Sequence, residues 1–154
     1  MIDFTEIDAL DGALYPDLDP RVFVEPKDKG KASEYARQKQ WVAHMRMCAG
    51  KVLVFAVPNG THIASNAGRT KVKAEGLYTG FPDTGCLWEG DVCDAWIPGV
   101  AFPEWKDGKG NPSAAQIECL NRLVAMGYPC GIFRTTEVCC NWLRSVGAPV
   151  PGVR

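Results

Sequence analysis

The stretch VAFPEWK, residues 100–106, alternates inward and outward positions with the two-residue period of a β-strand. On such a strand Glu104 and Lys106 project from the same face, and Val100 and Phe102 share that face. A carboxylate and an ammonium group therefore stand side by side and point towards the covered side of the strand. Burial of such charges is unfavourable unless they pair with each other or bind an ion. For this strand taken alone, a structural salt bridge is the favoured interpretation, and a role in an active site needs further residues.

A second carboxylate precedes the strand in the dipeptide Pro82-Asp83, at the end of a glycine-rich stretch. If its turn holds Asp83 near Glu104, two carboxylates lie beside Lys106. Carboxylate oxygens are the ligands that Mg²⁺ and Mn²⁺ prefer. Such a metal binds the scissile phosphate and lowers the pKa of a water molecule, while Lys106 orients that water and offsets charge in the transition state. The pattern is weak alone, because many unrelated chains contain it.

Hydrophobic periodicity predicts the remaining elements of the fold. Helices are expected over residues 34–49, 114–126 and 136–145, strands over 51–57, 100–106 and 130–136, and further short strands within 76–99. The order helix, strand, strands, helix, strand, helix is typical of an α/β sandwich, in which helices flank a mixed β-sheet.

Two of the predicted helices carry a polar residue on their apolar face. Glu34 lies on the stripe that Trp41 and Met45 define in the first helix. Gln116 lies on the buried face of the second helix, although it also fits a capping box with Ser113. A capping role does not exclude a role in a site. Four polar groups from separate elements are thus expected to converge, since Asp83 and Glu104 join these two.

Length and composition are those of one ordinary globular domain. The chain has 154 residues, of which 46% are hydrophobic and 23% charged. No apolar run approaches the roughly 18 residues of a membrane span, and the acidic beginning of the chain does not resemble a secretory signal. Seven cysteines without a CxxC pair favour free, buried thiols over a structural zinc site. We therefore expect a soluble, cytoplasmic protein.

Charge is distributed unevenly along the chain. Residues 1–26 hold seven acids and one base, whereas residues 27–154 hold sixteen bases and eleven acids. A basic body permits DNA binding without demonstrating it. Arg69, Lys71 and Lys73 cluster in a polar segment, which is interpreted either as a solvated basic loop or as a contact for phosphates beside the site.

The beginning of the chain looks like an arm and not like a core element. Residues 1–31 are acidic, contain three prolines and end in a polar linker. They are interpreted as a leader that packs on the body or, alternatively, as an acidic segment that mimics DNA and covers the basic face. The domain proper is expected over residues 32–148, and residues 149–154 form a C-terminal tail.

These motifs together resemble the virus-type replication-repair nuclease (VRR-NUC) domain of the PD-(D/E)xK nuclease superfamily. The matching pieces follow the family's order over about residues 33–146: Glu34-x-x-x-Gln38, Pro58-Asn59-Gly60, Lys73-Ala-Glu75-Gly76, Gly80-Phe-Pro82-Asp83, Glu104-Trp-Lys106, Ser113-Ala-Ala-Gln116 and Gly127-Tyr128. One departure is Pro103, where the family usually has an aliphatic residue. Because proline removes a ladder N–H group, the strand is expected either to bulge there or to turn Pro103 towards an unpaired side.

The resemblance implies a restriction-endonuclease-like fold with an αβββαβ core and a bound Mg²⁺ or Mn²⁺. It implies that Asp83 and Glu104 are metal ligands and that Lys106 is the catalytic lysine. Gln116 becomes an active-site polar residue, and Glu34 becomes a further ligand or a residue that holds the water.

The resemblance also implies a function. Small stand-alone members of the family, many from phages, are similar to Holliday-junction resolvases and act as homodimers. The chain is therefore expected to be a metal-dependent endonuclease for branched DNA in a bacterial or phage-infected cell, with DNA contacts at Asn59, Arg69, Lys71 and Lys73. The alternatives are a nuclease of the same chemistry that cuts flaps or duplex ends, and a DNA-binding or scaffold protein that keeps the fold without turnover.

Overall fold

The computed structural model describes residues 15–58, 65–90 and 99–152, which fold into helices packed on one mixed β-sheet. The strands are β1 (Phe23–Val24), β2 (Val52–Ala56), β3 (Thr84–Trp88), β4 (Gly99–Trp105) and β5 (Cys130–Phe133). The helices in the described part of the chain are α1 (Glu34–Cys48), α2 (Asn66–Ala74), α3 (Ala114–Ala125) and α4 (Thr136–Ser145). The α/β class predicted from the sequence is confirmed. The three predicted helices are present as α1, α3 and α4, the predicted strands are present as β2 to β5, and β1 and α2 occur in addition.

The sheet has the order β1-β5-β4-β3-β2. β4 runs parallel to β5 and β5 parallel to β1, whereas β2, β3 and β4 pair antiparallel in turn. On one face, α1 and α4 cover a core that contains Trp41, Met45, Trp105, Phe133 and Trp142. On the other face, α3 covers a second core that contains Leu120, Leu123, Val124 and Ile132. The strand β4 thus lies inside the sheet with helices over both faces.

Pro103 marks the point at which β4 separates from β3. Their last paired residue on β4 is Ala101. The N–H groups of Phe102 and Lys106 donate to the β5 side, to carbonyl oxygens of residues 129 and 133, so by the two-residue period the missing N–H group of Pro103 faces β3. Of the two expectations for this proline, the unpaired side is therefore the one found. The Thr84 hydroxyl donates to the Pro103 carbonyl oxygen at 2.7 Å and closes the gap between the strands.

The N-terminal segment belongs to the core in its described part. Tyr15, Val22 and Val24 are buried in the core beneath α3, and β1 pairs with β5 at the edge of the sheet. The prediction that residues 1–31 contribute no core element is therefore wrong for these residues, while residues 1–14 lie outside the described part. A strand of two residues is too short to produce a periodic pattern, so the sequence offered no signal for it.

Glu25 directly follows β1 and ties it to the beginning of α4. Its carboxylate accepts hydrogen bonds from the N–H groups of Arg134 at 2.5 Å and Thr135 at 2.9 Å, and from the Thr135 hydroxyl at 2.6 Å. Burial raises the pKa of the Glu25 carboxyl in spite of these three donors. The side chain of Arg134 in turn donates to the carbonyl oxygens of Asp107 and Gly110, so the same network holds the turn that follows Lys106.

We expect Glu25→Ala to lower the free energy of unfolding by about 2–4 kcal/mol, because the buried N–H group of Arg134 and the partly buried N–H group of Thr135 lose their acceptor. Glu25→Gln, whose amide has the same shape, should change stability by less than about 1 kcal/mol. Denaturation by urea measures both variants, with Glu137→Ala on the exposed surface of α4 as control. Equal stability of the alanine and glutamine variants would show that the carboxylate does not anchor β1.

The helix α2 was not predicted, and the interpretation of its residues as a loop is wrong. Ser65 caps it, with the hydroxyl accepting from the Gly68 N–H group at 3.0 Å. None of its residues is buried, so it lacks the apolar stripe from which helices are recognised.

The cysteine prediction holds only in part. All six cysteines in the described residues are free, but Cys48 is exposed, whereas the other five are buried. In the described part of the chain, no helix is long and apolar enough to cross a membrane.

Candidate metal centre

Three carboxylates from three separate elements meet at one end of β4. Glu34 is the first residue of α1, Asp83 directly precedes β3, and Glu104 lies near the end of β4. One oxygen of each lies within 4.8 Å of the others. These are the three acids that the sequence predicted to converge. Glu34 and Glu104 are 70 positions apart in the chain, so the three carboxylates come together only when the sheet has formed and α1 is packed on it.

Reciprocal hydrogen bonds join the two strands at this point. The Asp83 N–H group donates to Glu104 Oε2 at 3.1 Å, and the Trp105 N–H group donates to Asp83 Oδ2 at 3.2 Å. These bonds lie just beyond the last β3–β4 pair, where Pro103 has interrupted the ladder. Side-chain oxygens thus replace the carbonyl acceptors of a regular sheet, and both carboxylates are held by backbone donors.

Lys106 extends across the cluster. Its Nζ donates to Glu104 Oε1 at 2.6 Å and lies 3.5 Å from Glu34 Oε2. Burial of the amine disfavours its charged form, but the attraction of Glu104, Glu34 and Asp83 is stronger, so the pKa of Lys106 is raised. In the metal-free protein, Lys106 therefore carries a positive charge.

The carboxylates carry more negative charge than the lysine compensates. Burial raises the pKa of Glu104 to about 8, repulsion from Asp83 adds to this effect, and the attraction of Lys106 only partly offsets it. The pKa of Glu34 is also raised, mainly by burial. With all groups ionised, three carboxylates and one ammonium leave two negative charges in excess. A hard divalent cation fits this set of oxygen donors in both charge and ligand type.

Gln116 forms the predicted capping box and also contacts the carboxylate cluster. Its Oε1 accepts from the Ser113 N–H group at 2.9 Å and its own N–H group donates to Ser113 Oγ at 3.2 Å, which completes the capping box of α3. Its Nε2 donates to Glu104 Oε1. The helix cap therefore fixes the amide in the orientation in which it holds a carboxylate of the cluster.

Aromatic packing positions α1, and with it Glu34. The rings of Trp41 and Trp105 are both fully buried, and their centroids lie 5.3 Å apart. Trp105 lies between Glu104 and Lys106 in the chain and points to the opposite face of β4. Ser33 caps α1 through a bond from the Ala36 N–H group at 3.2 Å. The first turn of α1 is thus placed at the end of β4, where Glu34 reaches Lys106.

The predicted DNA contacts do not belong to this cluster. Arg69, Lys71 and Lys73 lie on α2 and are exposed. Lys71 Nζ lies 3.9 Å from Glu75 Oε1 of the same segment. Asn59 lies outside the described residues.

Two residues that shape the centre were missed in the sequence. Thr84 is fully buried, donates to Pro103 and accepts a bond from Trp105 Nε1 at 3.3 Å. Arg37 is buried in α1, where it pairs with Asp28 and donates to the Arg134 carbonyl oxygen. The signal for Thr84 was that a polar residue directly follows Pro82-Asp83. Arg37 stands four residues before Trp41 on the apolar stripe, and that spacing was its signal.

The arrangement places three carboxylates, which are able to hold a divalent cation, beside the amine of Lys106. This combination suits chemistry on a phosphate ester. Comparison of the chain with protein-family models, curated proteins and solved structures found no match. The resemblance to the VRR-NUC domain accordingly rests on the motifs alone.

Proposed function

We propose that the protein is a metal-dependent DNA endonuclease with a restriction-endonuclease-like fold, related to the VRR-NUC domain. The observation that carries the proposal is the convergence of Glu34, Asp83 and Glu104 around the amine of Lys106. A structural salt bridge needs one carboxylate for one lysine. Here three carboxylates gather beside one lysine, with Glu104 buried and Glu34 and Asp83 partly exposed. Such an excess of negative charge is unfavourable without a cation, which supports a site that serves binding and catalysis.

The metal of this site is Mg²⁺ or Mn²⁺, held by Asp83 and Glu104, with Glu34 as a further ligand or as the holder of a water molecule. When bound, such an ion polarises a phosphodiester oxygen and lowers the pKa of a coordinated water. The protein itself supplies rigid ligands, because backbone N–H groups fix Asp83 and Glu104 before any ion binds.

Lys106 and Gln116 have separate roles around Glu104. The Lys106 amine, held as a fixed charge, stabilises the negative charge that develops on the phosphate and positions the attacking water. Gln116 is a positioning residue, because its amide donates to Glu104 while the helix cap fixes its other end. Both groups donate to Glu104 Oε1, whereas Oε2 accepts from the Asp83 N–H group.

We propose that the DNA lies across the exposed basic side chains of α2, and this contact is testable. Lys71→Gln combined with Lys73→Gln should weaken DNA binding for every sequence. It should also reduce the slope of log K against log salt concentration by about 1.8 if each lysine meets one phosphate. Arg46→Gln combined with Lys51→Gln removes two exposed charges at the far end of α1 and serves as control. Binding titrations in Ca²⁺ over a range of salt concentrations measure the slope. An unchanged slope in the α2 variant would remove α2 from the interface.

Cleavage of four labelled substrates tests the function itself. A four-way junction, a flap, a linear duplex and a single strand are incubated with the protein and Mn²⁺ or Mg²⁺. The proposal expects cutting that depends on the metal, with preference for branched DNA and a homodimer as the active form. Preference for flaps or duplex ends would retain the chemistry and change the substrate. Binding without cutting under all conditions would instead support the scaffold alternative.

A further inference from the structure

A small apolar pocket lies beside the candidate metal centre. Its volume is about 150 Å³, and it is lined by Tyr78, Phe81, Cys119, Arg122, Leu123 and Met126. All but one of these side chains are apolar or aromatic, and the exception is a guanidinium. The pocket has no role in the metal centre described above.

The pocket shares both of its walls with the metal centre. Phe81 stands two residues before Asp83 on the same short segment. That segment lies directly against the first turn of α3, because a Cβ atom on Gly80, whose φ is +83°, would lie 2.3 Å from the Ala115 carbonyl oxygen. The second wall is α3, in which Arg122 follows Gln116 by six residues, roughly 9 Å along the helix axis. The axial separation of Gln116 and Arg122 is comparable to the length of one or two nucleotides, so a strand bound at the metal centre can extend to the pocket.

The rim of the pocket combines exposed apolar surface with a positive charge. Tyr78 is 42% exposed and Met126 60% exposed. Arg122 Cζ lies 5.5 Å from the centroid of the Tyr78 ring, and the guanidinium donates to the Tyr78 hydroxyl at 2.5 Å. A flat aromatic ring beside an arginine, open to solvent, is the composition of surfaces on which unpaired bases stack.

Further aromatic rings pack against Tyr78 and against one another. Phe81 lies edge-on to Tyr78, with centroids 6.5 Å apart, and edge-on to Phe102 at 5.2 Å. Phe102 in turn lies 6.3 Å from Tyr128. Phe102 is two residues before Glu104 on β4, so the aromatic series and the metal ligand are fixed to one strand. Tyr78 is thus backed by packed rings and keeps a defined orientation.

We propose that this pocket binds an unpaired base of the DNA strand next to the phosphate that is cut, which rests on the nuclease function proposed above. In a duplex the faces of each base are covered by its stacked neighbours, so only an unpaired or extruded base can place a face against Tyr78. The guanidinium of Arg122 complements the negative charge of the same nucleotide. The protein accordingly selects cut sites that have an unpaired nucleotide one or two positions away.

A fluorescent base tests the pocket independently of cleavage. Single strands and forked duplexes carrying 2-aminopurine at successive positions are bound in Ca²⁺, and the fluorescence and affinity are measured. Stacking should quench the probe at one position with wild type and with Tyr78→Phe, which keeps the ring. Tyr78→Leu should abolish the quenching and weaken binding about tenfold. Arg122→Gln should weaken binding, whereas Arg46→Gln at the exposed end of α1 should not.

The outcomes separate this inference from the nuclease proposal. Cleavage rates of the same preparations are measured in Mn²⁺. If wild type cuts DNA but the probe responds at no position, or Tyr78→Leu binds like wild type, the pocket does not bind a base and the nuclease stands. If the probe is quenched through Tyr78 but no substrate is cut, the pocket stands and the nuclease function fails. Absence of any DNA binding overturns both.

Discussion

Asp83→Asn is expected to lower the rate of DNA cleavage by at least about 1,000-fold, because loss of a metal ligand removes several kcal/mol of transition-state stabilisation. The substitution leaves the local structure intact, since the asparagine oxygen still accepts from the Trp105 N–H group. Initial rates in Mn²⁺ measure the effect. Cleavage within threefold of wild type would exclude Asp83 as a ligand.

The same variant is expected to gain stability in the absence of metal. Asp83 repels Glu104 and thereby contributes to the raised pKa of that carboxyl, which is about 8. At pH 9, where Glu104 is ionised, removal of the Asp83 charge relieves the metal-free protein, and the lost attraction between Asp83 and Lys106 offsets only part of this gain. We expect the melting temperature in EDTA to rise by a few degrees, the shift that corresponds to about 1 kcal/mol in a chain of this length. Glu118→Gln, an exposed carboxylate on α3, serves as control and should change neither rate nor melting temperature. A gain of stability together with a loss of activity is typical of functional sites.

Lys106→Met is expected to lower the cleavage rate by about 100- to 1,000-fold, the usual effect of removing one group that stabilises transition-state charge. Methionine retains most of the apolar stem of this buried residue, so the fold should persist. Affinity for DNA in Ca²⁺ should change by less than threefold, because the lysine acts on the reacting phosphate and not on the rest of the strand.

Lys109→Met is the matched control for that experiment. Lys109 is exposed in the turn that follows Lys106, and it carries the same charge on the same kind of side chain. The Lys109→Met variant should cut DNA at the wild-type rate. If the two variants lose activity equally, the effect comes from general charge near the turn and Lys106 has no special role. If neither loses activity, the salt bridge between Lys106 and Glu104 is only structural.

The centre of the site could be predicted because its residues obey simple periodicities. Glu104 and Lys106 are two positions apart on a strand, which places them on one face whatever surrounds them. Glu34 and Gln116 stand on apolar helical stripes, so they had to point inward. The structure brings all of them together with Asp83.

The hydrogen bonds and the minor elements that hold the site residues in place could not be predicted from the sequence. The reciprocal backbone bonds of Asp83 and Glu104 depend on β4 leaving β3 at Pro103, and the sequence allowed a bulge as an equal alternative. The short strand β1 and the exposed helix α2 have no periodic apolar pattern, so both were missed. Glu25, which connects β1 to α4, gives no sign in the sequence that it is buried.

Direct binding of Mn²⁺ tests the central claim that Glu34, Asp83 and Glu104 form a metal site. Isothermal titration of wild type, Asp83→Asn and Glu118→Gln in a chelator-free buffer gives the affinity of each protein for the ion. The account predicts that wild type and Glu118→Gln bind Mn²⁺ equally and that Asp83→Asn binds at least about tenfold more weakly, as loss of one ligand requires. Equal affinity of all three proteins, or no binding by wild type at Mn²⁺ concentrations that support cleavage, would contradict it.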